Sequence, residues 1–160
     1  MEFWQYLSIL LVCFLGIISG YFTSLIASEE LRKGKTYFEW FAKIIVFLIM
    51  LFFILMYEKL TIFTIIFIII VIILIIISKT YLDYLYSLFS IIIFTVSNNQ
   101  KILIIESSLI FILGIITASL FMIRFEKNEM IHGSKLNIFF HLIARYGLFV
   151  VVGILFFVFG

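Results

Sequence analysis

The chain contains no proline, a single cysteine and few charges, with 11 Lys or Arg and 9 Asp or Glu among 160 residues. Each shortage excludes something. Without proline there is no obligatory helix breaker, so apolar stretches are free to form long continuous helices. Cys13 alone can make neither an intrachain disulfide nor a thiolate metal cluster, and in an apolar run it reads as a small packing residue. A formal charge of +2 with no basic surface domain leaves nothing to hold a nucleic acid. Catalytic motifs are missing as well. There is no Gly-x-Ser-x-Gly, no phosphate-binding glycine-rich loop and no recognisable Ser–His or Cys–His arrangement, so no catalytic residue, metal or cofactor is expected. The Glu29-Glu30 doublet is followed by Gly34 where a CAAX-type intramembrane protease has an arginine, and the Phe-x-x-x-His and second His elements of such a protease are missing.

What is present is apolar. At 66% hydrophobic residues the chain lies well beyond the roughly half found in soluble domains, and a water-soluble core cannot hide that much surface. A transmembrane β-barrel would show alternating segments of about ten residues, and these runs are unbroken. The composition therefore predicts one all-α integral membrane domain over residues 1–160, a polytopic transmembrane helix bundle in a cell membrane.

About twenty apolar residues cross a hydrocarbon core of roughly 30 Å, and this ruler divides the chain. Spans are expected at 3–27, 38–57, 60–78, 81–97, 102–123 and 137–159. The first has no Lys or Arg before its apolar run, unlike a cleavable signal peptide. The fourth is short and begins with tyrosines and Asp83, so it either crosses or runs along the interface. Positive charge arbitrates. Arg32, Lys33 and Lys35 fall in the gap 28–37, and Arg124, Lys127 and Lys135 in the gap 124–135. Cytoplasmic loops carry such an excess, so both gaps belong inside. Two gaps on one side require an even number of crossings between them. Six helices with both termini outside satisfy that condition.

A faint repeat can be drawn within this pattern, the alternative being coincidence of Leu, Ile and Gly in a low-complexity apolar chain. Leu15-Gly16-Ile17-Ile18-Ser19-Gly20 matches Leu113-Gly114-Ile115-Ile116-Thr117-Ala118. Beyond each following gap, Phe38-Glu39-x-x-Ala42-Lys43 matches Phe140-His141-x-x-Ala144-Arg145. The first and second helices would then be duplicated, in parallel, as the fifth and sixth. Gly16 and Gly20, with Gly114 and Ala118, supply small-xxx-small faces that let helix backbones approach in lipid, within one chain or between two copies.

Few polar positions fall inside the spans, and these carry the candidate chemistry. Glu39 with Lys43, and His141 with Arg145, are four residues apart on their helices. They would form a cytoplasm-facing polar cavity holding an anion or a lipid phosphate, or else snorkel to the headgroups. Glu106 stands inside the fifth span and must be neutralised, hydrated or paired. Arg32, Lys33, Lys35, Arg124, Lys127 and Lys135 suit anionic lipid headgroups. Three functions fit these features. They are a small transporter or permeation protein using Glu39, Lys43, Glu106, His141 and Arg145, an accessory subunit of a larger membrane partner, and an enzyme acting on anionic lipid headgroups. The partners implied are the bilayer, an anionic lipid and a second copy or larger membrane protein.

Overall fold

In lipid every backbone N–H and C=O must be satisfied within the chain, which leaves long apolar segments little choice but helix. The computed structural model describes residues 2–56, 81–127 and 135–159, with positions 65, 66 and 69 between them. Every described element is helical: α1 (Phe3–Ile26), α2 (Ser28–Met56), α3 (Tyr81–Val96), α4 (Gln100–Lys127), α5 (Lys135–Tyr146) and α6 (Leu148–Phe159). Among the described residues four stretches are long and apolar enough to cross a membrane, namely Phe3–Ile26, Ser28–Ile54, Gln100–Phe125 and Asn137–Phe159, as a membrane-embedded protein requires. Leu85–Val96 in α3 is apolar but shorter. The third span expected at 60–78 lies almost wholly outside the described residues.

The expected loop at 28–37 is a correction. Ser28–Met56 is one continuous helix, and only Ala27 separates it from α1. The sequence carries the reasons. Glu29 and Glu30 occupy the first turn, where the positive end of the helix dipole favours carboxylates. Glu29 and Lys33 are spaced i,i+4, Lys35 and Glu39 form an ion pair at 3.7 Å with the same spacing, and no proline interrupts the run. A 29-residue helix is about 43 Å long. It exceeds the roughly 30 Å of a bilayer's hydrocarbon core, so its apolar part alone is long enough to cross one. The basic stretch 124–135 is likewise helical at both ends, through Lys127 and from Lys135, and 128–134 lie outside the described residues.

α4 is the helix around which the others gather; it is the most buried of the four spans and packs against α1, α2 and α3. Its closest neighbour is α1. A Cβ on Gly16 would strike the Phe111 carbonyl oxygen and come 3.1 Å from the Phe111 Cα. One on Gly20 would strike the Ile115 carbonyl oxygen and lie 2.9 Å from the Ala118 Cβ. From the other side, a Cβ on Gly114 would lie 3.1 Å from the Gly16 carbonyl carbon. Contacts thus advance in the same direction on both helices, so α1 and α4 run parallel, with Gly16 and Gly20 against Gly114 and Ala118. Backbones this close gain dispersion contact that larger side chains would forbid.

The remaining helices run the other way. Tyr6 stacks on Phe157 at 4.9 Å while Tyr21 meets Phe139 at 5.0 Å, so α5 and α6 form one span antiparallel to α1. That span is interrupted at Gly147, whose N–H still donates to the Ile143 carbonyl at 2.7 Å. α3 lies beside it in parallel, since Tyr86 touches Phe149 and Phe94 touches Phe156. On α2, Ala42, Ile45, Val46, Ile49 and Phe53 form a buried stripe. Only about five residues of α4 extend past the level of Ile26, so α2 can lay this stripe on α4 only by folding back along it. Its other face exposes Trp40, Phe41, Ile44, Phe47 and Leu51, as a lipid-facing helix would. The ends of α1 and α4 and the starts of α2 and α5 therefore share one end of the bundle, which also carries the two basic stretches.

Candidate functional site

One ionisable side chain on α4 is enclosed completely. Glu106 has no exposed surface, and among the described residues neither carboxyl oxygen has a hydrogen-bond partner. The helix explains how it gets there. Glu106, Ile110, Leu113 and Thr117 recur at i, i+4, i+7 and i+11, and all are buried. This stripe is distinct from Phe111, Ile115 and Ala118, which meet α1. The carboxyl group thus enters the core on a face of α4 other than the glycine contact, about 9 Å along the helix from Gln100.

Its sequence neighbours do not rescue it. The hydroxyls of Ser107 and Ser108 turn back on the Ile104 carbonyl at 3.1 and 2.7 Å, and the Thr117 hydroxyl bonds the Leu113 carbonyl at 2.7 Å. A buried unsatisfied polar group costs about 1–3 kcal/mol, and more when charged, so Glu106 is expensive unless something occupies the site with it. A proton, a cation or water would serve.

The other core polar groups are, by contrast, paired. The Tyr6 hydroxyl donates to the Gly153 carbonyl at 3.1 Å, binding α1 to α6. The Tyr86 hydroxyl donates to the Cys13 carbonyl at 2.7 Å, and the Cys13 thiol donates to the Ser107 carbonyl at 3.5 Å, so α3, α1 and α4 are linked in series. Ser24 donates to the Gly20 carbonyl of its own helix, and Ser119 to the Ile115 carbonyl at 2.9 Å. Sequence reasoning missed Tyr6 and Tyr86 as cross-helix donors. For Tyr86 the available signal was its position, inside an apolar helix rather than at an end where an interfacial belt would hold it; Tyr6, in the first turn of α1, gave none.

The remaining candidates are spread over separate surfaces. Glu39 is half-buried and pairs with Lys35 rather than Lys43. Lys43 is exposed, its ammonium 5.4 Å from the Trp40 ring of its own helix. His141 and Arg145 are both exposed and share a groove of about 590 Å³ with Phe121, Phe125 and Ala144. Glu106 lines neither this groove nor the smaller apolar one on α2 between Tyr37 and Ile44. Arg32 and Lys33 are exposed and Arg124 is half-buried, while the side chains of Lys127 and Lys135 lie outside the described residues. Among the described residues no cluster of His, Cys, Asp or Glu could hold a metal ion. No protein-family model, curated protein or solved structure matches the chain.

Proposed function

We propose that this protein is a small transport or permeation protein that moves a proton or a small cation across its membrane, with Glu106 as the group that binds it. One observation carries the reading: a carboxyl group with no exposed surface and, among the described residues, no hydrogen-bond partner, in the most enclosed of the described spans. An acid in that position is a standing cost to the fold. Exchange of a small positive species is what a buried carboxyl offers in return. The hydroxyls of the adjacent Ser107 and Ser108 are bonded to the Ile104 carbonyl, which leaves the carboxyl as the exchangeable group.

The same reading takes the chain as six spans with both termini outside and the basic stretches near 28–37 and 124–135 in the cytoplasm. It treats the first and second helices and the last two spans as a parallel repeat of a helical hairpin. The parallel course of α1 and α4, and the small residues each turns to the other, support that arrangement. Lys43 takes no part in the path in this reading, being exposed beside Trp40. The test is flux in liposomes under an imposed pH or cation gradient. Wild-type protein should dissipate the gradient and Glu106→Gln should not. If neither moves protons, sodium or potassium, the reading is lost.

A further inference from the structure

Two side chains that bond across helices converge beside the buried carboxyl. Tyr86 of α3 donates to the Cys13 carbonyl of α1 at 2.7 Å, and the Cys13 thiol donates to the Ser107 carbonyl of α4 at 3.5 Å. Both donors are fully buried. The Tyr86 ring is held in turn by the last span, with the rings of Tyr146 and Phe149 centred 5.9 and 4.9 Å away on either side of the break at Gly147. Its hydroxyl fits because α4 places a glycine there: a Cβ on Gly114 would lie 2.9 Å from the hydroxyl oxygen. Tyr86 thus meets α1, α4, α5 and α6 at once.

Ser107 follows Glu106, so it lies about 100° round α4 from it and 1.5 Å along the axis. With Phe111, Gly114 and Ala118 it forms the stripe that α4 turns to α1. Fixing the Ser107 carbonyl against α1 therefore fixes the angle at which Glu106 enters the core. We infer that Tyr86 and Cys13 are positioning residues of the Glu106 site, which hold α4 at the rotation that encloses the carboxyl. The inference rests on the reading of Glu106 as the exchanging group. Both residues act through the α4 backbone: when their bonds part, α4 is free to turn at Ser107 and the carboxyl gains access to the species it exchanges.

Tyr6 provides the matched control, since its hydroxyl also donates to a carbonyl of another helix, that of Gly153 at 3.1 Å, but on α6 and not α4. The experiment measures the rate at which a lipid-soluble carbodiimide labels Glu106 in the folded protein, in micelles without denaturant. Tyr86→Phe should raise the rate about fivefold, because opening no longer breaks that buried hydrogen bond. Tyr6→Phe should stay near the wild-type rate, although it loses a comparable bond. Cys13→Ala should raise the rate about twofold, the thiol being the weaker donor, and Cys13→Ser, which keeps a donor, should restore it. Equal acceleration in Tyr86→Phe and Tyr6→Phe marks labelling through global unfolding and overturns the assignment. An unchanged rate in Tyr86→Phe overturns it too, and a Cys13→Ser rate no lower than that of Cys13→Ala removes Cys13 from it. Flux is read separately: a wild type that moves no ion ends the reading of Glu106 as a carrier, whereas the labelling rates alone decide the positioning.

Discussion

Replacing Gly16 by alanine is the sharpest probe of how the bundle is held. The new Cβ would collide with the Phe111 carbonyl oxygen and lie 3.0 Å from the carbonyl carbon. Ordinary C···O contacts begin near about 3.3 Å, so the overlap is on the order of 1 Å. Both struck atoms are backbone and cannot rotate away, so α1 must back off from α4. A radial gap of that size forfeits roughly a quarter to a half of each dispersion contact along the seam, including those at Gly20 and Gly114. Overpacking of this kind costs about 1–3 kcal/mol.

Alanine also has the better helix propensity, by about 1 kcal/mol, which would mask part of the loss. Gly34→Ala isolates that gain. Gly34 is also helical, and its Cβ would meet only the Phe38 ring, 3.3 Å away at the end of a side chain that can turn. The difference between the two variants should therefore be the clash alone, about 1–3 kcal/mol. Cys13 supplies the assay, being the lone cysteine and buried on α1. Denaturant titration in micelles, followed by reaction of its thiol with a fluorogenic maleimide, reports when α1 leaves the bundle. Equal midpoints for Gly16→Ala and Gly34→Ala, or a more stable Gly16→Ala, would refute the seam.

The cross-helix tyrosines give a second stability test. Tyr86→Phe and Tyr6→Phe each remove one hydrogen bond to a carbonyl of another helix, and each should lower the same midpoint by about 0.5–1.5 kcal/mol. Lys35→Ala should change it by no more than about 0.5 kcal/mol, because an exposed i,i+4 ion pair contributes little. Lys43→Gln should leave both stability and liposome flux at wild-type values, since Lys43 is exposed with its ammonium over Trp40 of its own helix; a loss of flux there would restore Lys43 to the path.

The four long apolar helices Phe3–Ile26, Ser28–Ile54, Gln100–Phe125 and Asn137–Phe159 were legible in the sequence, because twenty apolar residues without proline have one physical outcome in lipid. The helical start of α2 was legible too, in Glu29 four residues before Lys33 and Lys35 four before Glu39. Charge between apolar runs also resembles a loop, and the composition of 28–37 favours that reading over the i,i+4 spacing. Glu39 shows a limit of spacing arguments. Lys35 and Lys43 are equally distant from it in sequence, and only the side-chain geometry selects Lys35. The small residues at 16, 20, 114 and 118 announced close packing, but that they face one another depends on helix placement, which no local pattern encodes. Glu106 stood out as a polar residue in a span. Its complete enclosure depends on packing around α4 that its own sequence neighbourhood does not specify.

The central claim, that Glu106 exchanges a small positive species, meets its most direct test in its reaction with a lipid-soluble carbodiimide, located by mass spectrometry of the folded protein. A carboxyl with no exposed surface can be modified only if the bundle opens to it. The account predicts that Glu106 is labelled in the native fold, that the transported cation slows the labelling, and that flux falls in proportion to it. Glu106 left unmodified until the protein is denatured would mark it as a sealed structural carboxyl and contradict the account.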